Sequence, residues 1–176
     1  MSYKLLSQRT DLRVDIFTPQ QNSSGSVGSP WHLGPSIPSN RYTDVGIGGT
    51  NSTQMTLNSG SSYYLEGAPQ ADNTNSGTRG SLTWQFYDVT NSQWIGSDAF
   101  QYTAGASGAS ARQGRKACAA LILDSEITTS MIVELRIKAI AGTNWNFTIT
   151  TPNLGLPSSF YWHTGYPTVR VWQLPS

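Results

Sequence analysis

With a single cysteine among its 176 residues, the chain has no intrachain disulfide available, so its fold stands on packing and on any association between copies. That residue, Cys118, lies in the small and apolar run KACAALILD, which predicts a strand carrying an inert buried thiol rather than a nucleophile. Charge is scarce as well: 12% of residues are charged, against roughly 25% in an average soluble chain. The formal net charge of +1 brings no clustered basic face, so neither nucleic acid nor an anionic membrane is an expected partner. No run approaches the roughly 18 apolar residues of a membrane span. The opening MSYKLLSQRTDLRVDIF has no apolar stretch between a basic start and a cleavage site, which predicts synthesis in a cytoplasm. The Asn-x-Ser/Thr matches at Asn22, Asn51 and Asn146 are then chance in a chain rich in those residues.

Catalytic patterns are missing too. His32 and His163 stand far apart in loops rich in Pro, Gly and aromatics, and no His-Glu-x-x-His, Gly-x-Ser-x-Gly or Cys-x-x-Cys occurs. Asp88 and Asp98 flank a polar turn and are the one pair that could serve glycoside cleavage, which needs carboxyls about 5–9 Å apart. Turn capping explains Asp88 better, because its side chain can bond the backbone of the turn it begins. The sequence therefore predicts no enzyme, no metal site and no cofactor.

What the chain does contain is alternation. Its length and 37% hydrophobic content suit one compact domain, and no segment holds a helical period over three turns. Residues 1 to 54 read as an extended arm, because 19 to 54 hold Pro19, Pro30, Pro35 and Pro38 among many Gly and Ser with only brief apolar pairs. Within the arm, Leu12, Val14 and Ile16 alternate with polar residues as a short strand that adds to a sheet edge of this chain or of a neighbour. From Met55 onward the pattern is regular. Leu82, Trp84 and Phe86 share one face and Thr83, Gln85 and Tyr87 the other, and the Asp-Val-Thr-Asn-Ser-Gln turn before Trp94 makes 81 to 102 a hairpin. Residues 103 to 115, TAGASGASARQGR, read as a long exposed loop. Val133, Leu135 and Ile137 then alternate with Glu134, Arg136 and Lys138, and Trp145 and Phe147 with Asn146 and Thr148. Trp84, Phe86, Trp145 and Phe147 are expected in the core. The closing TVRVWQLPS sets Val169 and Val171 on one face and Trp172 and Leu174 on the other, so both faces need cover. Short strands at about 8–12-residue spacing predict an all-β fold of two packed antiparallel sheets.

Four segments in order extend this. MTLNSGSSYYLEGAPQA, WQFYDVTNSQWIGSDAF, IVELRIKA and YPTVRVWQLPS resemble the opening, hairpin, inner strand and closing strand of the jelly-roll heads of bacteriophage fibres and virion surface proteins. Those heads are related in shape to complement-globular-head and tumour-necrosis-factor domains. The likeness covers about the last two-thirds of the chain. It implies a jelly-roll head over 55–176 and a homotrimer, with Val169, Val171, Trp172 and Leu174 at the threefold interface. Burying Trp172 and Leu174 together would contribute on the order of 4 kcal/mol before the entropy of association.

Two virion-surface functions are then expected, and in both the protein is made in the host cytoplasm and sits on the outside of the particle. In one it is a capsid decoration, or cement, protein whose arm, through Leu12, Val14, Ile16 and Trp31, lies across the major capsid protein. In the other it is a fibre head that joins fibre or tail proteins and reads host surface glycans with Trp94, Tyr102, Tyr161 and Trp162. The lack of a coiled-coil or repeat stalk favours decoration.

Overall fold

The computed structural model describes residues 13–17, 25–34, 43–50, 52–69, 72–73, 80–106, 109–113, 117–142, 145–146 and 168–174. Among them the strands run β1 (Arg13–Phe17), β2 (Gly46–Gly48), β3 (Gln54–Asn58), β4 (Ser62–Ala68), β5 (Asp72–Asn73), β6 (Gly80–Asp88), β7 (Gln93–Ala106), β8 (Ala109–Gln113), β9 (Cys118–Ile122), β10 (Ser130–Ala141), β11 (Trp145–Asn146) and β12 (Thr168–Leu174). One sheet has the order β1-β12-β4-β9 and the other β2-β3-β10-β6-β7-β8, with β5 and β11 forming a small pair. Every strand pairing is antiparallel. Taking β1, β3, β4, β6, β7, β9, β10 and β12 as strands one to eight, the order one-eight-three-six faces two-seven-four-five. That is the double Greek key of a jelly roll, so the expected fold class stands on the strand order itself.

The alternation seen in the sequence is what builds the two layers. Along β6, Leu82, Trp84 and Phe86 turn inward and are fully buried, and Met55, Leu57, Leu65, Val133, Leu135 and Ile137 meet them from the neighbouring strands. The layers are also joined by polar contacts. The Trp84 indole Nε1 donates to the Gly67 carbonyl at 3.1 Å, crossing from β6 to β4. The turn from β3 to β4 carries the chain from one sheet to the other, and buried Tyr63 fixes it: its hydroxyl accepts from Asn58 N at 3.3 Å and donates to Asn58 O at 3.1 Å. At the opposite corner the Ser97 hydroxyl accepts from Ala119 N at 3.1 Å, which closes β9 against β7. Gly96 beside it has φ +69°, and a Cβ there would run into the Ala119 carbonyl and Ala120.

The described residues among the first fifty, 13–17, 25–34 and 43–50, correct the expectation of a separate arm. β1 is an edge strand of this chain, pairing with β12 from Arg13↔Gln173 to Phe17↔Val169. β3 stops pairing with β10 at Gln54↔Glu134, which leaves the next backbone groups of β10 in need of partners. Residues 28–31 supply them: Gly28 N donates to Ile137 O at 2.8 Å, Ile137 N to Ser29 O at 3.0 Å, and Trp31 N to Leu135 O at 2.8 Å. Pro30, which has no N–H to offer, fits at such an edge. Phe17, Trp31, Leu33 and Val45 are all part of the main core. A boundary at residue 54 therefore cuts through the domain, and Trp31, expected on a capsid, is wholly buried.

A second correction concerns 103–115. There β7 continues to Ala106 and β8 returns from Ala109, pairing from Ala106↔Ala109 to Tyr102↔Gln113. Ala, Gly and Ser have low strand preference, but they carry the backbone ladder of this edge hairpin. No α-helix occurs among the described residues; Asp124–Glu126 form one short 3-10 turn.

Candidate functional site

Two outward sheet faces carry the groups able to meet a partner. On the four-stranded sheet, cross-strand register places Val14 opposite Trp172, Trp172 opposite Tyr64, and Tyr64 opposite Leu121. Partners in antiparallel register share a face, so an apolar row spans the sheet from one edge strand to the other. Within it the Tyr64 and Trp172 rings lie 5.1 Å apart and tilted by 48°. Leu121 is 58% exposed and Leu123, just past the end of β9, is 49% exposed. The adjacent row is polar: Arg170 Nη1 meets Glu66 Oε1 at 2.8 Å, with both side chains about a quarter exposed.

This arrangement splits the expected interface set. Val169 and Val171 point into this chain's own core and have no accessible surface, so they can offer nothing to a neighbour. Their place at a trimer interface is corrected to the inner layer, where the opposite sheet covers them. Trp172 and Leu174 are on the outward face and partly exposed. Val14 is partly exposed in the same row, whereas Ile16 is buried. Leu12 lies outside the described residues. The sequence reading missed Tyr64 and Leu121. The signal was available in KACAALILD, where Leu121 has the opposite parity to Cys118, Ala120 and Ile122, the three that are buried.

On the six-stranded sheet, Tyr87 pairs with Trp94 across β6 and β7. Their rings are 5.0 Å apart in an edge-on arrangement, and the Arg136 guanidinium lies 4.0 Å above the Tyr87 ring. Arg136 Nε also donates to Glu134 Oε2 at 2.6 Å, while Gln54 Nε2 donates to Glu134 Oε1 at 2.9 Å. That double pairing explains how Glu134 is almost fully buried on a face read as wet. Lys138 Nζ donates to Gln85 Oε1 at 2.7 Å and to Asp98 Oδ2 at 3.0 Å, and sits 6.0 Å from the Trp94 ring. Thr83 pairs with Phe100 on the same face, and Phe100 is 45% exposed.

Of the expected ligand-facing aromatics, Trp94 is thus on a strand, 37% exposed. Tyr102 is in β7 opposite Ser81, its side chain outside the described set, as are Tyr161 and Trp162 altogether. Asp88 is buried and caps its turn, accepting from Asn91 N at 3.1 Å and from Asn91 Nδ2 at 2.6 Å. Asp98 is engaged by Lys138. The Cys118 thiol is fully buried, and desolvation pushes its pKa up to about 12. No group of three or more His, Cys, Asp and Glu that could hold a metal ion occurs among the described residues.

Neither a protein-family model nor a curated protein sequence matches the chain. Among solved structures it is similar in shape to the Eiger tumour necrosis factor of S. frugiperda, at 9% identity over 94% of each chain, with a TM-score of 0.45.

Proposed function

We propose that this chain is a trimeric decoration protein on the outer surface of a bacteriophage capsid. The observation that carries the self-association is the row Val14–Trp172–Tyr64–Leu121, apolar across the whole width of the four-stranded sheet. Large exposed apolar patches on soluble proteins mark interaction sites. A trimer would cover this one in three symmetric copies. Full burial of a large apolar side chain contributes roughly 1.5–3 kcal/mol, and association costs about 4–15 kcal/mol, so the whole row has to be engaged. The assignment to a virion is supported by the four sequence segments that resemble phage jelly-roll heads.

In this reading the anchoring surface is part of the folded head, since residues 13–17, 25–34 and 43–50 belong to the sandwich. A decorating protein stabilises only the shell state it binds, and its effect adds over many copies by mass action. Particles with and without the chain should be compared for genome release on heating and for adsorption to cells. Decoration predicts release at lower temperature without the chain and unchanged adsorption. Lost adsorption with unchanged heat resistance would replace this function by that of a fibre head.

A further inference from the structure

We propose that the outward face of the six-stranded sheet around Trp94 binds uncharged oligosaccharide, an activity beyond decoration. Three observations converge there. Exposed aromatic surface is set along one face of β7, with Trp94 37% and Phe100 45% exposed and Tyr87 beside Trp94. Among the described residues the charges at the rings are paired with one another, Lys138 to Asp98 and Arg136 to Glu134, an arrangement that suits a neutral ligand better than an anionic polymer. Hydrogen-bonding groups stand next to the rings, and the Asp98 side chain is 54% exposed while bonded to Lys138.

This combination fits a sugar ring. One side of a pyranose presents C–H bonds of slight positive charge, which lie well against the negative face of an aromatic ring. Its rim presents hydroxyls that both donate and accept, suited to the Asp98 carboxylate and the Lys138 ammonium held beside the rings. A protein partner would be expected on continuous apolar surface, and that lies on the other sheet, in the row through Trp172. Because the sugar face and that row are on different sheets, the sugar site can be tested whether or not the chain trimerises or decorates a capsid.

The test uses the full-length chain and three neutral hexasaccharides, of glucose, galactose and N-acetylglucosamine, with a sulfated hexasaccharide as the anionic probe. Amide chemical shifts would be followed by two-dimensional NMR during titration. The expected result is saturable binding of at least one neutral sugar, with shifts concentrated in β6 and β7. Trp94→Ala should weaken it at least tenfold and Trp94→Phe less than threefold, both with unchanged circular dichroism. Absence of binding by all three neutral sugars, stronger binding of the sulfated one, or binding insensitive to Trp94→Ala would overturn the proposal. So would a polypeptide partner retained by the wild type and lost with Trp94→Ala when no sugar binds.

Discussion

Tyr64 and Trp172 face each other across β4 and β12, with ring centroids 5.1 Å apart. They sit in the middle of the sheet, flanked by Val14 at one edge and Leu121 at the other. The pair sets two large rings in contact at the centre of this face, the part of the row that a second copy would have to cover.

Gly96→Ala should be among the most damaging single-methyl changes in the chain. The position combines φ +69° with a Cβ direction blocked by the Ala119 carbonyl and the Ala120 Cα and Cβ. Gly28, at φ +88°, has open space around it, so Gly28→Ala isolates the backbone strain alone, about 1 kcal/mol. Urea unfolding should show Gly96→Ala losing roughly 3 kcal/mol or more.

Trp31→Ala tests whether the proline-rich segment is part of the domain. Its side chain is fully buried in the main core, and such truncations cost roughly 3–5 kcal/mol. Thermal unfolding should show a large drop in Tm, and removal of residues 1–54 should leave no cooperative transition. A truncated chain melting like the intact one would contradict the fold described.

The Cys118 thiol, with its pKa raised to about 12 by burial, should resist alkylation by iodoacetamide at pH 8 until the protein unfolds. It also links stability to pH. The native chain keeps this proton while the unfolded chain releases it at the ordinary value of 9.0, so the unfolded state binds fewer protons above that point and stability falls as pH rises toward about 12. The contribution is on the order of 4 kcal/mol over that window. In urea titrations between pH 8 and 11, Cys118→Ala should flatten the decline.

Much of this architecture was legible in the sequence because half-buried strands write their facing directly as alternation. Leu82, Trp84 and Phe86 against Thr83, Gln85 and Tyr87 needed no further information. The N-terminal segment was misread for a physical reason. Trp31 and Leu33 serve the core as isolated side chains on an irregular strap, bound through backbone groups that sequence does not display. The Ala/Gly/Ser hairpin of β7 and β8 was missed likewise, since backbone pairing from Ala106↔Ala109 to Tyr102↔Gln113 leaves no apolar alternation in the sequence to read. For the candidate faces, parity put Trp172 and Leu174 on the face opposite Val169 and Val171 without saying which face looks outward. It could not show that Val169 and Val171 would already be covered by the opposite sheet, nor that Tyr64 and Leu121 would fall beside Trp172 in register.

The central claim, self-association through the Trp172 row, is tested most directly by sedimentation equilibrium of the wild type and of Leu121→Glu at micromolar concentration. Leu121 is 58% exposed in the single chain, so the substitution leaves the folded protomer intact and places a charge only where a neighbour would bury it. The account predicts a wild-type mass three times the 19.1 kDa of one chain and a folded Leu121→Glu protein at the mass of one. A wild type sedimenting as a single chain, or a trimer indifferent to Leu121→Glu, would contradict it.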